Sequence, residues 1–231
     1  PARTGLVYDV ASLTKVIVTT TLAMKLVERG QLDLDWRLSR IFQTFGSHGK
    51  ESMTIRHLLS HTSGYPPTSP FYKSIAKTER DDGMGSLTSR AACELIQNEV
   101  FRAKLDNLPG KVTRYSDIGF ILLGRALETI TGLSLDKLAQ REVFQPLGLR
   151  STGYIDLTSV RRKGVEPVVE TIAPTARCSW RGRILCGEVH DDNAWAMGGI
   201  APHSGVFSTA EDICIFAEEM LRCYRGESSF I

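Results

Sequence analysis

The chain has no long hydrophobic run and little net charge, and these two absences exclude several classes of function. Its most apolar stretch, Val16 to Met24, is short and lies between Lys15 and Lys25, whereas a membrane-spanning helix needs about 20 residues. We therefore predict no membrane span. The net charge of +2 at pH 7 is too small for a nucleic-acid partner, and the one tight basic run, 161–163, is expected to be a solvated loop.

Cysteine is scarce, and none of the five cysteines forms a C-x-x-C pair. We therefore predict no structural zinc site. Cys178 and Cys186 flank the turn-like segment 180–183. They are either bridged across a hairpin or two unpaired buried thiols, and the second interpretation is favoured. The polar cluster 190–193 has no further His or Cys group near it in sequence, so we predict that it is a polar turn and not a metal site.

The apolar pattern predicts many helices and few strands. The predicted helices cover 12–29, 54–60, 87–105, 117–131, 134–144 and 208–224. The first is apolar on nearly all sides, which predicts a buried helix. Ser12 or Thr14 can cap its start, and Gly30 suits its end. Residues 65–86 are expected to form a long loop, and the best strand candidates lie between 160 and 190, chiefly 165–172.

The segment Ser12-Leu13-Thr14-Lys15 carries the strongest catalytic pattern. Its spacing puts a hydroxyl and an amine on one face of a helix. A serine hydroxyl is a weak nucleophile until a base takes its proton. A buried lysine can be that base, because desolvation disfavours the ammonium form. The helix N-terminus also offers N–H groups to a developing oxyanion.

The same Ser-x-x-Lys spacing recurs elsewhere, so the spacing alone is not specific. It recurs at Ser47/Lys50, Ser74/Lys77 and Ser134/Lys137. The first two pairs lie in predicted loops, and Lys137 is expected to be solvated on a half-charged helix. Only Ser12 opens an apolar helix that would desolvate its lysine. A plain helix cap remains the alternative reading of Ser12.

A second candidate is Tyr115-Ser116-Asp117, just before the helix 117–131. A loop tyrosine at a helix start can point its hydroxyl into a cleft, and a nearby cation would let it relay protons. Asp117 could instead be only the helix N-cap, and a second Tyr-x-Asp at Tyr154 shows how little the triplet proves alone. His57 and His61 are interpreted as a packing residue and a turn residue.

These motifs stand in longer runs that resemble the serine β-lactamase superfamily. That superfamily includes class C β-lactamases, D-Ala-D-Ala carboxypeptidases of the penicillin-binding-protein type, and related carboxylesterases. The similar runs are YDVASLTK (8–15), LVERGQLDLDWRL (26–38), TIRHLLSHTSGY (54–65), PGKVTRYSDIGFILLGRALETITG (109–132), VFQPLGLRSTGY (143–154) and GEVHDDNAWAMGGIAPHSGVFSTAEDI (187–213). The likeness covers nearly the whole chain, and several blocks in the right order are far more specific than any single motif.

The resemblance implies an α+β fold of the β-lactamase/transpeptidase type. A helical lobe, about 45–160, would lie beside an antiparallel sheet flanked by helices, in a single domain over 1–231. The implied reaction is acyl transfer at an ester, amide or β-lactam carbonyl: Ser12 attacks, Lys15 and Tyr115 move protons, and no cofactor or metal takes part. The alternative is a non-catalytic penicillin-binding-like protein that is acylated without turnover.

The resemblance also implies a small-molecule or peptidoglycan-like substrate, and it favours the bacterial cell envelope over the cytoplasm. It leaves the oligomeric state open. The family's second motif usually ends in Asn, where this chain has Asp117. An amide can donate a hydrogen bond to a substrate carbonyl, whereas an ionised Asp only accepts. Asp117 is therefore a substrate-binding candidate that could instead pair with Lys15 and hold it protonated.

The family's third motif, Lys/His-Thr/Ser-Gly on a strand, is matched in letters by His203-Ser204-Gly205. These three residues, with His190, complete the substrate-binding candidates. We predict that 203–205 leads into the helix 208–224 and not into a strand. We therefore expect the true third motif and much of the sheet to lie outside this chain, which we expect to be cut at both ends.

Overall fold

The computed structural model describes residues 3, 5–47, 49–82, 87–164 and 169–231. The α-helices in these ranges are α1 (Thr21–Glu28), α2 (Leu38–Ile41), α3 (Ile55–Leu59), α4 (Phe71–Asp82), α5 (Arg90–Arg102), α6 (Asp117–Thr131), α7 (Leu135–Ala139), α8 (Leu157–Lys163), α9 (Asp192–Ala196) and α10 (Ala210–Tyr224). Lys15–Thr20 and Gln140–Phe144 are π-helical, and Val169–Thr171 is a 3-10 turn. The strands are β1 (Tyr8–Asp9), β2 (Gly153–Tyr154), β3 (Arg177–Cys178), β4 (Arg183–Ile184) and β5 (Val206–Ser208).

A small antiparallel sheet brings distant parts of the chain together. Its order is β1-β5-β2, with β5 in the centre. Tyr8 pairs with Ser208, and Gly153 pairs with Phe207. The combination of many helices with a small antiparallel sheet confirms the predicted α+β class. Because β1 leads to Ser12 and β5 follows His203, the pairing of β1 with β5 places these two residues at the same end of the sheet.

The helix after Ser12 is buried on one side only. The π-helical turn Lys15–Thr20 continues into α1, and Gly30 ends the run at φ 66°, as predicted. Leu13 and Val16 are 48% and 52% exposed, so the prediction of burial on all sides is wrong. Within the described ranges nothing covers this face. Thr14 makes no side-chain cap bond, because its Oγ1 accepts the N–H of Val206 (3.1 Å), and the Ser12 Oγ accepts from the Lys15 side chain.

Helix α6 is the central helix of the core. It packs against α3, α5 and the π-helical turn after Ser12, and nearly all of its apolar side chains are buried. Its bounds match the prediction, including the left-handed Gly132 at its end. The Ser116 Oγ accepts from the N–H of Gly119 and is the N-cap. Asp117 is thus the first residue of the helix and not its cap, so its side chain is available to the site.

One predicted loop and one predicted strand differ from the structure. Residues 65–86 were expected to be a loop, but α4 occupies Phe71–Asp82. Its apolar positions Phe71 and Ile75 are one turn apart and both buried. The repeat is too short to be recognised in a segment rich in serine and charged residues. The strand expected at 165–172 is instead a 3-10 turn at Val169–Thr171, while 165–168 lie outside the described residues.

The hairpin expected around 180–183 is present as β3 and β4. Cys178 lies opposite Arg183, not opposite Cys186, and neither cysteine forms a disulfide. The Cys186 thiol instead donates to the carbonyl of Ile172. The favoured interpretation, two thiols without a disulfide, is confirmed, but both are half-buried and not buried as expected.

In the part of the chain that the structure describes, no single helix is long and apolar enough to cross a membrane. Asp117–Thr131 and Leu135–Phe144 reach that length and composition only together, and they are bent by 77° relative to each other. Their apolar side chains belong to the core.

Candidate active site

Ser12 and Lys15 meet at the start of the first helix. Ser12 lies in the turn between β1 and that helix, on the surface, whereas Lys15 is only 3% exposed. The Nζ of Lys15 donates to the Oγ of Ser12 at 3.0 Å. An exposed hydroxyl therefore lies within hydrogen-bond distance of a buried amine that can take its proton once the amine is neutral.

Lys15 has two further acceptors. Its Nζ lies 2.7 Å from the Asp117 Oδ1 and 3.0 Å from the carbonyl oxygen of His203. With the Ser12 hydroxyl, this makes three acceptors for the three N–H bonds of an ammonium group. The alternative in which Asp117 pairs with Lys15 is the one that the structure adopts. The ion pair and the two hydrogen bonds give the buried charge the partners that it requires.

Tyr115 borders the same lysine from the solvent side. It is 51% exposed, and the Lys15 Nζ lies 4.7 Å from the centre of its ring. The His61 ring packs against it with a centroid distance of 4.5 Å. The Lys15 side chain thus faces the aromatic ring of Tyr115 in a cation–π contact.

His61 belongs to this site, although its sequence context indicated only a turn. Its backbone is indeed left-handed, with φ 56°. Its Nδ1, however, accepts the N–H of Ser116 at 3.1 Å, and its ring stacks on Phe120 at 5.0 Å. Burial, and then the charge of Lys15, lower the pKa of His61 below its usual value. The His61 imidazole therefore supports the Tyr115 segment through two contacts, one with the Tyr115 ring and one with the Ser116 N–H.

His203 meets the site through its backbone. Its ring is 1% exposed, and its Nε2 lies 3.0 Å from the Asp191 Oδ1. Burial alone would raise the pKa of Asp191, but the charge of His203 and bonds from His203 and the Ala194 N–H hold it well below its usual range. This pair fixes the segment whose carbonyl accepts a hydrogen bond from Lys15.

Ser204 and Gly205 are buried beside His203. Gly205 has φ 121°, and a Cβ there would collide with the carbonyl of Gly199. The segment leads into β5 (Val206–Ser208) before the Thr209 cap of α10. The expectation that no strand follows 203–205 was therefore wrong. The strand is too short to be seen in the sequence next to a strong helix cap.

His190 is exposed, and its backbone N–H donates to the Asp9 Oδ2 at 2.7 Å. Asp9 and Asp191 were not among the sequence candidates. Both acids stand in the runs that resemble the family, at 8–15 and 187–213. Their roles depend on partners remote in sequence, which spacing along the chain does not reveal.

The other Ser-x-x-Lys pairs lack this arrangement. Lys77 and Lys137 are exposed. Lys50 is buried, contrary to the expectation that only Lys15 would be desolvated, and burial lowers its pKa. Its ammonium donates to the carbonyl of Phe101 and faces the ring of Tyr65. It is thus held by the core, away from solvent.

Comparison with known proteins gives a consistent result. The sequence profile of the Beta-lactamase family matches residues 1–228. A protein of Escherichia coli K12, described as "Putative D-alanyl-D-alanine carboxypeptidase", is 32% identical over 238 residues, which cover 95% of this chain and 52% of that protein. The chain thus spans about half the length of the curated relatives it matches.

Solved structures support the same fold. A penicillin-binding protein from Bacillus halodurans superposes with a TM-score of 0.71 at 24% identity, over 96% of this chain and 62% of the other. A D-amino acid amidase from Ochrobactrum anthropi SV3 gives a TM-score of 0.67 at 23% identity, over 98% and 58%. The fold is therefore of the β-lactamase/transpeptidase type.

Proposed function

The chain belongs to the β-lactamase family, and from this premise we propose that it is a serine hydrolase that works through an acyl-enzyme on Ser12. The observation that carries the proposal is the 3.0 Å contact between the Ser12 Oγ and the Nζ of the buried Lys15. Lys15 is the base, Tyr115 shuttles protons, and no metal or cofactor is required.

The proton balance follows from the contacts of Lys15. In the resting site all three N–H bonds of the ammonium are used. One proton must leave the ammonium, to Asp117 or to solvent, before the amine can take the proton of the Ser12 hydroxyl. The Ser12 oxygen then bonds to the substrate carbonyl carbon. The carbonyl becomes an oxyanion, which the Ser12 backbone N–H at the helix start is suited to bind.

The second half of acylation needs an acid. When the tetrahedral intermediate collapses, the bond to the leaving amine or alcohol breaks, and that group takes a proton. Tyr115 is exposed at the mouth of the site and lies against Lys15. We assign it the relay of the proton from Lys15 to the leaving group. Water then attacks the acyl-enzyme, and the same groups run the proton transfer again.

The substrate class rests on the relatives. The curated relatives are described as D-alanyl-D-alanine carboxypeptidases, and one structural neighbour is a D-amino acid amidase. We propose a peptidoglycan-like or D-amino-acid amide or ester as substrate. Asp117 and the exposed His190 are the proposed side-chain contacts, and 203–205 is proposed to contribute through its backbone.

One domain over 1–231, with a helical lobe at about 45–160, remains part of this proposal.

The test is turnover of a D-Ala-D-Ala depsipeptide and a p-nitrophenyl ester by Lys15→Ala, with Lys137→Ala as the matched control. Lys137 has the same spacing from a serine but is exposed. Lys15→Ala should slow acylation by about 10² to 10⁴-fold, the usual effect of losing a positioned base. A loss below tenfold would contradict the role of Lys15. An acyl group that forms but is never released would instead favour the non-catalytic alternative.

A further inference from the structure

We propose that Asp9 is a positioning residue for the nucleophile: its carboxylate holds the turn that presents Ser12 and joins that turn to the loop at His190. The inference rests on the proposed function of Ser12. Asp9 acts through backbone groups: its carboxylate accepts the N–H of Ala11, next to Ser12, and the N–H of His190.

Both oxygens of Asp9 are occupied by backbone donors. The Oδ1 accepts the N–H of Ala11 at 2.8 Å, and the Oδ2 accepts the N–H of His190 at 2.7 Å. A carboxylate offers two acceptor oxygens, whereas an amide offers one oxygen and an NH₂ that would face a donor. Of the uncharged side chains of this size, none can therefore replace both contacts.

The first contact stabilises an unfavourable backbone conformation. Ala11 has φ 46°, in the left-handed region that residues with a Cβ rarely adopt. An Asp side chain that bonds to the N–H two residues ahead is a known means of stabilising such a turn. The turn continues with bonds from Leu13 to the carbonyl of Val10 and from Thr14 to that of Ala11. The conformation of Ala11 thus sets the position of Ser12.

The second contact reaches the support of Lys15. The N–H that Asp9 binds belongs to His190, and the next residue, Asp191, holds the His203 ring. The carbonyl of His203 accepts from Lys15 at 3.0 Å. One carboxylate therefore lies between the turn of the nucleophile and the loop that supports its base. This carboxylate thus connects the two segments that flank the Ser12–Lys15 pair.

The alternative is that Asp9 only stabilises the loop at His190 and has no effect on the turn that contains Ser12. A rescue experiment separates the two roles. Glycine adopts positive φ without the cost that Ala bears. If Asp9 acts by holding Ala11, then Ala11→Gly should restore function to Asp9→Asn. If Asp9 acts only on the loop, a change at Ala11 should restore nothing.

Asp33→Asn is the matched control. The Asp33 Oδ1 accepts the N–H of Asp35 at 2.8 Å, in the same local pattern, but on an exposed segment outside the site. The rate of Ser12 acylation by a fluorophosphonate is measured in each variant, with thermal melts alongside. Asp9→Asn should be slower by about 10 to 100-fold, as expected for a misplaced nucleophile. The Asp9→Asn/Ala11→Gly variant should recover at least about threefold, and Asp33→Asn should react like the wild type.

Ala11→Val provides an independent test that leaves Asp9 intact and applies even if Asp9→Asn does not fold. A β-branched residue is poorly accommodated at positive φ, and Ala11 is exposed, so the substitution acts on the turn and not on packing. It should also slow acylation. A wild-type rate in Ala11→Val or Asp9→Asn, or no recovery on adding Ala11→Gly, would overturn the inference.

Amide hydrogen exchange distinguishes this inference from the proposed function. If the wild-type Ser12 does not react with the probe, the proposed function fails, and the role of Asp9 in catalysis fails with it. If the wild type reacts, faster exchange at both Ala11 and His190 in Asp9→Asn supports the two bonds. Unchanged exchange at these amides overturns the positioning role while leaving the proposed function intact.

Discussion

At the scale of single residues, the site is organised around one buried cation. The Ser12–Lys15 pair follows from helix spacing and could be predicted, and the Asp117 contact was one of two alternatives that the sequence left open. His61, Asp9 and Asp191 could not be predicted, because each acts through a partner remote in sequence or through backbone geometry. A hydrogen bond such as that between Asp191 and His203 leaves no periodic signal.

The Lys15–Asp117 pair makes a prediction about the choice of substrate. Asp117→Asn removes the carboxylate that pairs with Lys15 and supplies an amide donor for an acyl-side-chain carbonyl. Acylation by a fluorescent penicillin at pH 7 should therefore rise, by up to about tenfold if the gain equals one neutral hydrogen bond, while turnover of a short ester stays similar. Stopped-flow labelling measures the rate. No response of either substrate would show that the carboxylate has no part in acylation.

His61 makes a prediction about pH. Its pKa is lowered by burial and then by the charge of Lys15. Its contribution to stability is thus fully present above the unfolded value of about 6.5 and is lost as the pH falls through the lowered folded value. Asn tolerates positive φ and keeps an acceptor for the Ser116 N–H. His61→Asn should therefore lose less stability than the wild type on acidification.

Urea denaturation at a series of pH values from about 7 to 4 checks the His61 prediction. His57 also has a lowered pKa, but it is present in both proteins, so the difference between them isolates His61. Parallel curves for wild type and variant would contradict the prediction. That result would mean that protonation of His61 does not change the free energy of unfolding over this pH range.

At the scale of elements, sequence patterns were most informative where a periodic run met clear end signals. Helix α6 has both, and its bounds were predicted to the residue. Helix α4 and strand β5 were missed for opposite reasons. In α4 the apolar repeat is diluted by charged residues. In β5 the three residues Val206–Ser208 are too few to alternate, and only pairing with β1 and β2 makes them a strand.

The one-sided burial of the first helix gives a matched pair of substitutions. Val16 is 52% exposed and Val18 is fully buried, two residues apart in the same π-helical turn. Val18→Ala should lower the free energy of unfolding by about 1 to 3 kcal/mol, through lost burial and a cavity. Val16→Ala should change it by less than about 0.5 kcal/mol. Equal losses in urea denaturation would show that the face of Val16 is covered in the folded protein.

At the scale of the whole molecule, the fold gathers three remote segments at one point. The turn at Ser12, the start of α6 at Asp117 and the segment before β5 at His203 all meet at the Lys15 ammonium. The resemblance of separate sequence blocks predicted the α+β fold, and the blocks 8–15, 109–132 and 187–213 contain these three segments. How the blocks contact one another depends on packing, which the order of the blocks does not specify.

The most direct test of the central claim is to map the covalent adduct. The chain is incubated with a fluorescent penicillin or a fluorophosphonate, digested, and sequenced by mass spectrometry. The account predicts a single modified peptide that carries the label on Ser12, and no label in Ser12→Ala. A label on Ser47, Ser74 or Ser134 that persists in Ser12→Ala would contradict it.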